Sequence, residues 1–560
     1  MPDIRELILL DQMETSRFGI SPGSAWRSRI RLGLRRLVVQ TSIGPLRPIY
    51  GAIYRLHLRY ALHVLRKFPG IHSIYVTGGL AANDIKPGIS DIDLTVNGEW
   101  TDEEQMRVAY ALRRLSAMSP LYDTLLGQCT QTLTSLRSLY ETDYFFQYRF
   151  DLGRSRWKLA YGEDVFALLP PVDPEKAAGG AFTELRTWWA QFTRSAFGAG
   201  TMALDGLFRN SIAYKAVAGI EQVATALDGH LPETSRSEAI RNAMRRTTGD
   251  RQRAFLARMA RSGDRRHLRF EGDILEDTFC YLMPRLEEIH SRLSGTPAFQ
   301  PASRALHVDA SPAEMLITPG ASLHVAALTA IVKHEWPGYR SAYLLPSLSF
   351  FYPDDLVLMF EVDPDRLPTV KQIRAVCERA RQAKLPQRVA PYLLLPNAAY
   401  QLEVLSSTEL WHHTLCAAAN PEVFALLDRR EFAIDGPPRA ASGPPPAWSH
   451  FAANQVKEEI TIRREAFGKA AGAVQISSLD ILRHLWRQVQ LEIVVRSGPS
   501  GVTLVPLTVP GMLRALASWG LPQDSVFSRL AAAYRSELEG VPVDVPAMLP
   551  EVIGLMALFR

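Results

Sequence analysis

Cysteine is scarce in this chain. The four, Cys129, Cys280, Cys377 and Cys416, stand far apart and form no Cys-x-x-Cys pair. That disfavours a disulfide scaffold or a thiolate metal site and suits a reducing cytoplasm, the expected location. Long apolar runs are missing as well: none reaches the ~18 residues a membrane-crossing helix requires. The N-terminal MPDIRELILLDQMET is acidic where a signal peptide is basic. No G-x-x-x-x-G-K-[ST] loop, G-x-S-x-G elbow or H-E-x-x-H helix occurs, which sets aside P-loop NTPases, α/β-hydrolases and zincins. No long-period repeat suggests a solenoid. Acid is absent over one stretch: after Glu14 the next carboxylate is Asp84. Arg27, Arg29, Arg31, Arg35, Arg36, Arg47, Arg55, Arg59, Arg66 and Lys67 fill it. Such a face is either simply solvated or attracts an anionic nucleotide, nucleic acid or membrane surface. Aromatics are not interleaved there in the pattern that stacks bases.

What the chain does contain is centred on Ile74 to Val96, IYVTGGLAANDIKPGISDIDLTV. Ile74, Tyr75 and Val76 read as a short buried strand. Gly78 and Gly79 end it and let backbone approach a ligand closely. Pro87-Gly88 marks a turn. Ile92, Leu94 and Val96 then alternate with Asp91, Asp93 and Thr95, the period of a strand with one polar face. Asp91 and Asp93 therefore point the same way. Two carboxylates held side by side repel, and a hard dication relieves the conflict. Mg²⁺ is held by one or two carboxylates together with substrate phosphates. Backbone N–H groups at the glycines suit the same phosphates.

This stretch resembles the signature of the DNA polymerase beta-like nucleotidyltransferase superfamily, in its stand-alone bacterial or small-molecule form. The residues that carry the resemblance are Thr77-Gly78-Gly79, Ala81, the loop from Leu80 to Ser90, and Ser90-Asp91-Ile92-Asp93-Leu94. It implies an α+β fold, with a small mixed sheet and helices. It also implies ATP or another NTP with Mg²⁺, and transfer of a nucleoside monophosphate to an acceptor. Asp91 and Asp93 would hold the metal, and Gly78, Gly79 and Ser90 the phosphates. Active relatives usually add a third carboxylate from a following strand, as general base. Asp123 in Tyr122-Asp123-Thr124 is the best-placed choice, with Glu141, Asp143 and Asp151 placed more loosely. A strand at Leu126 to Leu133 would carry no acid, which leaves open a degenerate nucleotide-binding protein. RSRWKLAYGE, Arg154 to Glu163, resembles a tract of small nucleotidyltransferases ending in Tyr-Gly. Its Lys158 is the candidate contact to the triphosphate, and a cationic helix start is the competing reading.

At 560 residues several domains are expected. A basic helical segment, 1–70, precedes the nucleotidyltransferase domain, 71–170. Within the latter, Thr101 and Glu104 form a capping box. Residues 181–293 read as helical and, by analogy with the superfamily, close over the acceptor. A small α/β unit follows at 305–430, with Leu356 to Val362 as its clearest strand. His412-His413 there is a weak metal candidate, since neighbouring helical histidines diverge. The run DGPPRAASGPPPAWS, residues 435–449, is a linker. A helical module, 451–560, suits docking of a protein partner. The acceptor, whether small molecule, protein or RNA, is not specified by any motif.

Overall fold

The computed structural model describes residues 25–101, 125–133, 156–171, 206–264, 274–293, 305–346, 356–403, 430–437, 478–520 and 526–548, with short gaps, and isolated residues between 104 and 192. Contacts divide the chain into two compact units. One comprises residues 16–196 and 202–301; the other comprises residues 1–15, 197–201 and 302–560. Each mixes helices with small sheets, as an α+β chain does.

The first unit opens with helices α1, Ala25–Thr41, and α2, Leu46–Leu65. Strand β1, Ile71–Thr77, leads into the short helix α3, Gly78–Ala81. Strands β2, Ile92–Gly98, β3, Leu125–Thr132, and β4, Lys158–Gly162, complete a sheet of order β3-β2-β1-β4. β1 runs antiparallel to β2 and β4, while β2 and β3 are parallel. The residue types account for the sheet: β1 and β2 are rich in β-branched and aromatic side chains that fit a pleated surface. Every residue of β1 except His72 is buried. Tyr54, Ala61, Leu62 and Leu65 recur at helical spacing on α2 and pack against Ile74, Val76, Ile92, Leu94 and Val96. Val108, Leu112 and Leu115 join the same core. The capping box forms as read. The Thr101 N–H donates to Glu104 Oε2 at 2.9 Å, and the Glu104 N–H to Thr101 Oγ1 at 3.3 Å.

Among the described residues four helices follow: α4, Gly206–Leu227; α5, Arg236–Arg246; α6, Asp250–Asp264; and α7, Ile274–Leu293. One buried carboxylate ties three of them together. Glu221 on α4 accepts from Tyr281 Oη at 2.9 Å and from Arg285 Nε at 2.9 Å, both on α7. Arg246 at the end of α5 pairs with Glu221 Oε2 at 4.0 Å and donates to Thr225 Oγ1 at 3.1 Å, one turn along α4. Burial opposes the Arg285 charge, and the Glu221 carboxylate outweighs it, so the guanidinium holds its proton more tightly than usual.

In the second unit, β5, Ala305–Asp309, precedes a one-turn helix α8, Pro312–Met315, and α9, Ala321–Glu335. β6, Tyr339–Pro346, β7, Leu356–Val362, α10, Val370–Gln382, β8, Val389–Leu394, β9, Gln401–Glu403, and β10, Ala433–Asp435, follow. They form a sheet of order β10-β6-β7-β8-β9. α11, Ser478–Ser497, β11, Val502–Pro506, α12, Val509–Ser518, and α13, Val526–Leu538, complete the unit. Two sequence expectations change here. Residues 451–560 are not purely helical, because VTLVP forms β11 and pairs in parallel with β5. Periodicity missed it: five residues between two helices carry too few positions to show a period of two. The linker assigned to 435–449 begins inside the sheet, since Asp435 belongs to β10 and its carboxylate meets Lys333 Nζ at 2.6 Å. His412 and His413 lie outside the described residues.

Candidate active site

The site is built where β1 ends and β2 begins. Register places Thr77 opposite Asp93. The next residue, Gly78, turns the chain with φ +64°. Two constraints select glycine at that position. A side chain is disfavoured at that backbone angle. A Cβ there would also stand 2.4 Å from Asp93 Oδ2. The space a Cβ would take at Gly78 is thus occupied by the Asp93 carboxylate. Gly79 is half-buried in the first turn of α3. Asp91 and Asp93 are both half-buried; β2 begins at Ile92, so Asp91 is the residue entering the strand rather than part of it.

The loop from Ile85 to Ser90 is fixed by the N-terminal helices. The Ser90 N–H donates to the Lys86 carbonyl at 2.8 Å, and Ser90 Oγ accepts from the Lys86 N–H at 2.8 Å. Ser90 is buried, so its hydroxyl serves the loop. Tyr54 Oη of α2 donates to the Ser90 carbonyl at 2.7 Å and accepts from the Gly88 N–H at 3.3 Å. Arg35 Nε of α1 donates to the Gly88 carbonyl at 3.0 Å. Gly88 has φ +80°, and a Cβ on it would come within 2.9 Å of the Arg35 carbonyl. Arg35 is 6% exposed, so this arginine of the acid-free stretch is not part of a solvated face. On the other side of the loop, Lys86 Nζ lies 4.2 Å from the ring centroid of Tyr214 on α4.

Lys158 is exposed at the start of β4, opposite Val76. The tract around it is a strand, not a helix start, and Leu159 is 42% exposed rather than packed. Pairing with β1 decided this, a long-range contact that a cationic decapeptide does not announce. Lys158 Nζ is 3.5 Å from Oδ1 of Asn83, which ends the turn after α3 with φ +55°. The lysine therefore stands by the segment that begins at Gly78. Beneath, Tyr75 shares a face of β1 with Thr77 and packs on Phe166 at 4.6 Å between centroids. Its hydroxyl donates to Asp164 Oδ1 at 2.7 Å. Burial, reinforced by Asp164, raises the Tyr75 phenol well above its ordinary range, so it stays protonated.

The structure brings Gly78, Gly79, Asp91 and Asp93 to one end of the two inner strands, with Lys158 alongside. Ser90 adjoins them in sequence but faces the loop. β3, LLGQCTQT, contains no carboxylate, and Asp123 lies outside the described residues, as do Glu141, Asp143 and Asp151. Among the described residues, no group of three or more metal-ligating side chains forms. Sequence reasoning missed Arg35, Tyr54 and Tyr214 as residues supporting the loop. Arg35 looked like its neighbours, and Tyr54 fell on an apolar stripe. Asn83 carried a usable signal, since asparagine tolerates the left-handed backbone region.

No protein-family model and no curated protein matches the chain. Among solved structures, it is similar to spectinomycin adenyltransferase AAD(9) from Enterococcus faecialis, crystallised with ATP and spectinomycin. The match has 13% identity, covers 43% of this chain and 98% of that chain, and has a TM-score of 0.30. A likeness at that score defines neither fold nor site.

Proposed function

We propose that residues 71–170 carry a Mg²⁺-dependent nucleotidyl transfer site. It moves a nucleoside monophosphate, AMP from ATP as the first choice, to an acceptor and releases pyrophosphate. The observation that carries this reading is Gly78: a left-handed glycine against which the Asp93 carboxylate packs, in the space a Cβ would take, so that the turn and the acid are held together. Hard oxygen donors set against a glycine turn fit a Mg²⁺–triphosphate group. Asp91 and Asp93 would hold the metal, which neutralises charge on the phosphates when bound. Gly78 and Gly79 offer backbone N–H groups without side-chain obstruction. Lys158 adds positive charge at the same end of the strands. Ser90 acts through the loop rather than by direct contact. Asp123 is retained as the third carboxylate because β3 pairs in parallel with β2, placing Leu125 beside Ile92. Leu125, the first residue of β3, therefore lies at the end of the sheet where Asp91 stands.

The test is pyrophosphate release from each of the four NTPs with Mg²⁺, on wild type and Asp93→Asn, with cell extract as acceptor. Asp93-dependent release is expected. Full turnover by Asp93→Asn would sink the assignment.

A second reading has its own observation, the acid-free β3. In it the domain binds nucleotide without turnover and residues 305–560 serve as an interaction platform. Saturable nucleotide binding with no pyrophosphate release in any extract supports it. Nucleic-acid binding by the basic N-terminal helices is less favoured, because Arg35 is committed to Gly88. It requires affinity that falls steeply with salt.

A further inference from the structure

A cavity of about 480 Å³ lies between α6 and α7, and none of its lining residues belongs to the site above. Its floor is aromatic. Phe255 and Tyr281 are both buried, with ring centroids 5.1 Å apart. The Tyr281 hydroxyl is engaged by Glu221, so the cavity meets the ring as a fixed wall. Three arginines line it, Arg251, Arg258 and Arg261, against one carboxylate, Asp277. Arg258 is paired with Asp277, and its guanidinium sits 5.9 Å from the Phe255 centroid. Arg251 and Arg261 are exposed at the rim. Subtracting the Arg258–Asp277 pair, and setting Glu276, which accepts from Cys280 Sγ at 3.7 Å, against one of the two remaining arginines, leaves a net positive rim over an apolar floor.

We propose that this cavity binds an organic anion with a flat aromatic body, an aryl phosphate or aryl carboxylate. The volume falls within the range of small-molecule sites, roughly 300–1,000 Å³. Guanidinium groups match the planar geometry of carboxylate and phosphate. An aromatic floor favours a ring lying on it over a hydrated inorganic anion. The inference is independent of nucleotidyl transfer.

Cys280 also lines the cavity and is an exposed free thiol, which supplies a local reporter. The experiment follows carbamidomethylation of Cys280 in the full chain by iodoacetamide, read from its own peptide by mass spectrometry. Phenyl phosphate is expected to slow alkylation about tenfold at saturation by blocking access to the thiol. Inorganic phosphate and benzyl alcohol, each carrying half of the chemistry, should protect far less. The double variant Arg251→Ala/Arg261→Ala should lose the protection while keeping the wild-type melting temperature, because both side chains are exposed. Absence of protection by phenyl phosphate overturns the proposal. So does equal protection by either half-ligand, or protection that survives in the double variant.

Discussion

At the scale of single residues, Gly78 concentrates the consequences. Gly78→Ala places a side chain at φ +64°, for a strain of about 1–2 kcal/mol. It also drives the methyl into Asp93 Oδ2. The expected outcome is a folded protein with a slightly lower Tm and no detectable nucleotide binding by calorimetry. His57 on α2 makes a different prediction. Burial lowers its pKa below 6.5, partly offset by a hydrogen bond to the Leu115 backbone. The folded chain therefore keeps the ring neutral where the unfolded chain takes up a proton. Stability is complete above pH 6.5 and falls as the pH drops below it. His57→Gln should flatten the Tm–pH curve in that window. The glycine pair and the two aspartates were legible because turn chemistry and a period-two alternation are local. Arg35 was not, because what separates it from Arg36 is a partner 53 residues away.

At the scale of elements, the loop at 85–90 depends on two helices outside the sheet. Tyr54→Phe removes two hydrogen bonds, and Arg35→Met removes the charged donor to Gly88. Loss of the Arg35 donor should cost roughly 1.5–3 kcal/mol, as expected for a hydrogen bond from a charged group. In both variants hydrogen exchange at Gly88 and Ser90 should accelerate while β1 stays protected. Unchanged protection in the loop would show that it holds itself. The elements most legible from sequence were those with a strong internal pattern: β1, β2, the Thr101–Glu104 box and β7. β4 and β11 are short and polar or isolated. Their pairing with β1 and β5 selects strand over any local preference.

At the scale of the molecule, the contact pattern separates residues near 301 and 302. Within the second unit, β11 reaches back some two hundred residues to β5, and Arg514 on α12 meets both Asp309 and Glu314. Truncation after residue 477 strips β5 of this partner and should leave residues 302–477 unable to fold, measured as loss of a cooperative melting transition. A chain ending at 301 should retain the first unit and its nucleotide binding. Among the described residues, no helix is long and apolar enough to cross a membrane.

The two clamps on the loop also impose an order on synthesis. A ribosome releases α1 and α2 before Gly88 and Ser90 exist, so the basic helices emerge with their receptors, Arg35 and Tyr54, already made. The loop joins them as it leaves the exit tunnel, and the end bearing Asp91 and Asp93 closes only once β2 has followed. An arrested nascent chain that exposes residues 1–85 but nothing from residue 91 onward would therefore display the Gly78–Gly79 turn without the carboxylates.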